Sequence, residues 1–367
     1  MKYYKELDGL RFFAVFFVII SHWFPKSHFL NFTPNGSIGV TIFFVLSGFL
    51  ISSILFRYKE KIQRGDSTIG ETLKVFFIRR SLRIFPIYYL LIFFLFIYGY
   101  PAITENILYF VSYTSNILMF KEQTFFGTVS HLWTLSVEEQ YYLIWPFILF
   151  LLQQKRVKVV ILILILFSVS TQFIMNQSFE YYNFLTFNAF DAFGLGSLLA
   201  YYKLYQEESL NSLQNILMGI VAVMSIFFIS KLEFFTTQTF VSCLTVIFLI
   251  FIMSAKYKNA FFNKLLRNSV LMYIGKISYG IYLFHTFIPG LMDNFYPEIL
   301  KSLPASTYII FIINFIVLIF ICTISWFLFE SPLNNLKKRF ELLNRKKKPI
   351  MKEINTKITN FDYVENN

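Results

Sequence analysis

Two ionisable side chains share the first apolar stretch, LDGLRFFAVFFVIISH: Arg11 and His22. At about 100° per residue, eleven positions end roughly 20° past three full turns, so both project from one face of a helix, about 16 Å apart along its axis. An ionisable group at membrane depth is costly and marks function by default. Arg11 offers a cation to an anionic group, and His22 offers the side chain whose ordinary pKa suits proton transfer near neutrality. His28, six residues further on in a loop, has no such setting. A second basic constellation, FFIRRSLRIFPIYY, spaces Arg79, Arg80 and Arg83 so that one helical turn presents two guanidiniums together. Guanidinium forks match phosphate oxygens; the plainer reading is an anchor at the membrane edge. In HLWTLSVEEQYYLIWP, His131, Ser136, Glu138 and Glu139 precede an apolar run, where acidic residues also suit a helix N-terminus. Neighbours on a helix point about 100° apart, so at most one of the two glutamates is expected to face a site shared with His22. There a carboxylate could orient His22 or act as an acid–base group itself.

Other positions speak less clearly. Ser47 and Gly48 in FFVLSGFL suit close helix packing. Asp191 lies within an apolar span and needs a partner that its surroundings do not name, and His285 in SYGIYLFH fits either core hydrogen bonding or a substrate path. Glu330 stands at the end of the last span, where pairing with a basic residue is expected. Cys243 and Cys322 lie in apolar runs without C-x-x-C spacing, which points to packing rather than a metal site or a disulfide framework.

The elements that must carry these residues follow from composition. Of 367 residues, 56% are hydrophobic and only 15% charged, against about 25% charged in a soluble domain. A disordered, fibrous or ordinary cytosolic protein is thereby excluded. A bilayer core of about 30 Å takes about 20 helical residues, and runs of that order predict an all-α, polytopic membrane bundle of about ten helices: 10–25, 37–56, 83–99, 139–152, 158–174, 184–204, 214–230, 238–254, 272–292 and 306–329. The stretch 106–120 carries more polar residues and reads as re-entrant or interfacial. With the N-terminus inside, the cytoplasmic side collects all but Lys26, Lys121, Lys231 and Lys301 of the 33 Lys and Arg. That asymmetry favours ten spans with both termini cytoplasmic. The net charge of +12 thus reads as a membrane fringe and not as a nucleic-acid surface. Residues 1–335 are expected to form the transmembrane domain and 336–367 a basic cytoplasmic tail that meets anionic lipid. The first apolar stretch lacks a small-residue cleavage site and is expected to be retained.

Five blocks in order, LDGLRFFAVFFVIISH, FFVLSGFLI, RRSLRIFPIYY, LWTLSVEEQYYLIWP and SYGIYLFH, make the chain resemble the bacterial acyltransferase-3 family of integral-membrane O-acyltransferases, from Leu7 to about Pro332. The resemblance implies that Arg11 and His22 match the family's Arg–x10–His motif, with His22 catalytic. It implies that Arg80 and Arg83 match an Arg-x-x-Arg element that handles acyl-CoA, and that Glu138 is the family's glutamate in this block. Thr134 stands where the family has serine, a departure that keeps a small hydroxyl. The form it resembles is the stand-alone one, without an appended extracytoplasmic domain.

The function so implied is transfer of an acyl group, by resemblance acetyl, from cytoplasmic acyl-CoA to a hydroxyl of an extracytoplasmic or lipid-linked carbohydrate, in the bacterial cytoplasmic membrane. No metal and no nucleic acid are called for. Sequence leaves open whether His22 is a general base or an acyl carrier. The rival is a proton-coupled transporter or exporter, which would also bury His, Asp and Arg, but it predicts internal pseudo-repeats that the chain does not display.

Overall fold

The computed structural model describes residues 4–230, 235–254, 261–295 and 307–340. Among them every regular element is helical. In chain order these are α1 (Glu6–Trp23), α2 (Asn35–Gln63), α3 (Ile69–Ile97), α4 (Pro101–Glu105), α5 (Ile107–Val111), α6 (Ser115–Glu122), α7 (Trp133–Leu151), α8 (Gln154–Met175) and α9 (Phe190–Tyr205). They continue with α10 (Leu210–Ile229), α11 (Thr237–Met253), α12 (Phe261–Leu266), α13 (Ser269–Lys276), α14 (Ser278–Phe284), α15 (Ile288–Phe295), α16 (Thr307–Ser325) and α17 (Ser331–Leu336). A 3-10 turn, Gly127–Leu132, leads into α7, and a π turn, Trp326–Glu330, joins α16 to α17.

Among the described residues, five helical stretches are long and apolar enough to cross a membrane: Asn35–Gln63, Ile69–Ile97, Gln154–Met175, Glu207–Ile229 and Thr307–Leu336. Their outward faces carry exposed Phe93, Phe94, Leu166, Ile226, Ile316 and Phe320, the surface a helix presents to hydrocarbon. Several expected spans coincide with single helices, but two expectations need correction. The stretch 272–292 is three short helices, α13 to α15, because the chain bends at Ile277 and again before Pro289, which opens α15. The third span begins well before residue 83, where a capping box between Thr68 and Glu71 nucleates α3. The segment 106–120 forms the short α5 and α6, in keeping with its polar content. The basic tail lies outside the described residues from 341 onward, and so do Lys231, Lys256 and Lys301.

The buried side chains form two apolar clusters. One gathers Phe44, Phe49, Leu55, Trp145, Phe193 and Leu199 from α2, α7 and α9. The other gathers Val18, Tyr88, Phe110, Leu132, Ile281 and Leu318 from α1, α3, α5, α14, α16 and the 3-10 turn. Helix α1 serves both, giving Leu10 and Ala14 to the first and Val15 and Ile19 to the second. The crossing of α2 and α9 is close on both sides: a Cβ on Gly48 would lie 2.2 Å from the Phe193 carbonyl oxygen, and one on Gly196 would lie 2.1 Å from that of Val45. Small residues let the two backbones touch. Inside the first cluster the buried Asp191 meets Gln238 Nε2 at 2.6 Å and Thr239 Oγ1 at 2.8 Å, the partners its sequence context does not name.

Candidate active site

Where the two apolar clusters meet, α1, α2, α3, α7 and α14 leave a cavity of about 90 Å³. Arg11, Arg80, Arg83, Glu138 and Glu139 all line it, so four of the five site residues expected from sequence converge. Both glutamates reach it, each from its own side of α7. Glu138 Oε1 accepts from the Ser47 hydroxyl at 3.1 Å, and its Oε2 accepts from the Tyr142 hydroxyl at 2.8 Å. Ser47 and Tyr142 are themselves 2.9 Å apart. A hydroxyl donates one hydrogen bond. Two hydroxyls therefore fill two edges of this triangle, and the third is filled only when the carboxyl carries a proton. The arrangement can hold a proton and release it at one oxygen. Arg80 lies over the Tyr142 ring at 5.4 Å, and Arg11 pairs with Asp8 at 3.1 Å.

Arg80 and Arg83 also line a second, larger cavity of about 480 Å³ between the C-terminal part of α2, the start of α3 and the chain just past α17. Its lining carries Arg57, Lys61, Arg79 and Lys337 as well, six basic side chains with no carboxylate among the lining residues. The two arginines line both this vestibule and the inner cavity. Burial, reinforced by Arg83, Arg80 and Arg79 and opposed by Glu330, pushes the Lys337 ammonium down to about 7. The field of Arg83 and Lys337 reaches Glu330, which is buried with Oε1 unpartnered. This is the basic neighbourhood its position in the sequence suggests, although the carboxylate is not tied by a hydrogen bond there.

His22 stands apart from both cavities, near the C-terminal end of α1. It is solvent-accessible and lies edge-on to the buried His285, with ring centroids 4.9 Å apart. His285 in turn meets the buried His131 at 5.1 Å. Glu138 therefore does not orient His22: its hydrogen bonds go to Ser47 and Tyr142, while His22 is backed by two further histidines. Arg11 and His22 lie on the one continuous helix α1, and of the two only Arg11 lines the inner cavity. Between the inner cavity and His22 stand Thr134 and Tyr282, with the buried His285 behind them. Thr134 and Tyr282 line the inner cavity and hydrogen-bond each other at 2.7 Å. Thr134 Oγ1 also donates to the His131 carbonyl at 3.0 Å, and the Tyr282 ring packs on His285 at 5.6 Å.

Sequence reading alone passed over Tyr142, Tyr282, Arg57, Lys61 and Lys337. Tyr142 is legible after the fact, one turn beyond Glu138 on the same helix. Lys337 is more than 250 residues from Arg83 and only the packing of α17 against α3 brings it there. The described residues contain no group of His, Cys, Asp or Glu that could hold a metal ion.

Comparison with known proteins bears on the same blocks. The chain is 31% identical over 355 residues to the peptidoglycan O-acetyltransferase OatA of Listeria monocytogenes, covering 86% of this chain and 55% of that protein. It is 28% identical to a Staphylococcus aureus protein provisionally named an O-acetyltransferase, covering 84% of this chain and 54% of the other. A Bacillus subtilis protein, YrhL, provisionally named a peptidoglycan O-acetyltransferase, is 29% identical over 83% of this chain and 50% of its own length. The chain thus spans about half the length of these relatives. No solved structure matches. Residues 4–330, which contain both cavities and the three histidines save for the last turns at Lys337, match the sequence profile of the acyltransferase domain, and by that match the chain belongs to the acyltransferase-3 family.

Proposed function

We propose that this chain is a membrane O-acyltransferase that moves an acetyl group from acetyl-CoA to a carbohydrate hydroxyl of the bacterial cell envelope. The observation that carries the reading is the pair of cavities that share Arg80 and Arg83 in their walls. Six basic side chains facing one space suit a ligand with several phosphates, and a narrow inner chamber suits the thioester arm of such a ligand. The vestibule then lies on the cytoplasmic side, where acyl-CoA is made, with both chain termini on that side and His22 toward the outside. The relatives' names support a glycan acceptor, peptidoglycan among the candidates.

In this reaction the acceptor oxygen attacks the thioester carbonyl, the C–S bond breaks, and the CoA thiolate leaves through the vestibule. His22 takes the hydroxyl proton as the C–O bond forms and later gives it up to water, while the CoA thiolate takes the proton that Glu138 holds. Glu138, with Ser47 and Tyr142, holds a proton next to the arriving thioester. Thr134 and Tyr282 must part for the acyl carbonyl to reach His22. Arg11 adds positive charge to the wall of the inner chamber.

Deleting the gene and measuring ester-linked acetyl on each class of envelope glycan tests this reading. One ester should disappear, return with the wild-type gene, and stay absent with His22→Ala. Full restoration by His22→Ala would remove His22 from the chemistry.

A further inference from the structure

His285 is fully buried, on the turn that ends α14, and its main chain is tied to α1 by a hydrogen bond from Trp23 Nε1 to its carbonyl at 2.9 Å. Its Nδ1 lies 2.7 Å from the Tyr282 carbonyl oxygen. A carbonyl only accepts, so Nδ1 carries the hydrogen and Nε2 of the neutral ring keeps a lone pair. That nitrogen is buried and has no hydrogen-bond partner. An orphaned acceptor in a well-packed interior needs a reason. The titratable groups facing it are His22 from α1 and His131 from the 3-10 turn, with Tyr282 on its own helix.

His131 is already engaged. Its Nε2 lies 3.2 Å from the Leu283 carbonyl and its Nδ1 lies 2.9 Å from the Thr128 carbonyl, with the Thr286 hydroxyl at 3.3 Å. A neutral ring carries one N–H, and at either nitrogen it meets a backbone carbonyl oxygen, which holds this ring in place as a wall. His22 is different: it is accessible, and its ring lies edge-on to His285 with the centroids 4.9 Å apart.

We propose that His285 is a positioning residue for His22, its free Nε2 accepting a hydrogen bond from the His22 ring N–H. Resting on the reading of His22 as the group that takes the acceptor's proton, this assigns the orphan acceptor a task. When His22 takes a proton at one nitrogen, the N–H at its other nitrogen donates to His285, which fixes the ring's direction and disperses the new charge. No proton need leave His22 for His285. The arrangement is a histidine held by a histidine, where a carboxylate is the more familiar partner.

Two substitutions separate this role from a structural one. His285→Asn keeps a donor near Nδ1 for the Tyr282 carbonyl and loses the acceptor at Nε2. His285→Gln places an amide oxygen near Nε2. With full-length protein in lipid vesicles, acetyl-CoA as donor and peptidoglycan oligosaccharides as acceptor, His285→Asn is expected to lower kcat by at least tenfold with KM for acetyl-CoA unchanged. His285→Gln is expected to recover most of the loss. Carbethoxylation of His22 by diethyl pyrocarbonate at pH 7, followed by mass spectrometry, needs no catalysis. His22 should react several-fold faster in His285→Asn than in wild type and near the wild-type rate in His285→Gln. Wild-type kcat and wild-type His22 reactivity in His285→Asn would overturn the proposal, as would Gln proving worse than Asn. If the wild-type protein transferred no acetyl at all, the functional reading would fail, while the reactivity pattern would still decide the role of His285.

Discussion

Glu138 sits in a triangle with one hydrogen bond too few unless it holds a proton. Replacing it with glutamine keeps the size and one acceptor oxygen but removes the exchangeable proton, so Glu138→Gln should lower kcat by about 10²–10⁴, the range of a lost acid–base group. Tyr142→Phe, which leaves the carboxyl and Ser47 in place, should cost far less, and steady-state transfer rates on the two variants test the contrast. Arg80 both stacks on Tyr142 and faces two cavities, so lysine is no substitute for its planar fork. At this scale much was legible: Arg11, Arg80, Arg83 and Glu138 stood out because charge at membrane depth is rare, and all four meet. The partner of His22 was not. Phase along one helix says which face a residue takes, but which neighbours that face meets is decided by α14 and the 3-10 turn, through contacts more than a hundred residues away.

Among the elements, α17 delivers Lys337 to the vestibule and gives it a pH signature. Held down to about 7 by burial and three arginines, Lys337 is charged below that pH and neutral above it in the free protein. A bound phosphate favours the charged form. The advantage of wild type over Lys337→Met in binding CoA, measured by calorimetry in detergent, should therefore be greatest near pH 6 and shrink as the pH rises through 7. An advantage constant with pH would mean that Lys337 does not touch the anion. The crossing of α2 and α9 carries a separate expectation. A Cβ at Gly48 meets the Phe193 carbonyl at 2.2 Å, a backbone atom that cannot swing aside. Gly48→Ala should thus cost about 1–3 kcal/mol, seen as a lower melting temperature in detergent. Sequence marked this position as a packing site because glycine beside serine in an apolar run has little other use there. It could not foresee the division of 272–292 into three helices, since apolar composition there is continuous and the bends come from backbone packing and from Pro289.

Across the whole molecule, the site lies at the seam between two apolar clusters and runs from a cationic vestibule, past Arg80 and Arg83, through a chamber with two carboxyls, to a partition of Thr134 and Tyr282 with three histidines beyond it. The +12 charge is in part the wall of that vestibule. An all-helical fold was legible from composition, because in lipid every backbone group must be bonded within its own segment; the route through it was not, because it is built from five helices and belongs to none. The route makes one claim above the rest: the donor binds on one face of the membrane and the acceptor is esterified from the other. Sealed vesicles holding the oriented protein, with labelled acetyl-CoA on the vestibule side only and peptidoglycan oligosaccharides on the opposite side only, test it directly. Label should appear as ester on the opposite-side oligosaccharide with wild type and should be lost in both His22→Ala and the Arg80→Ala, Arg83→Ala double variant. Label reaching only acceptor on the acetyl-CoA side, or crossing undiminished in His22→Ala, would contradict it.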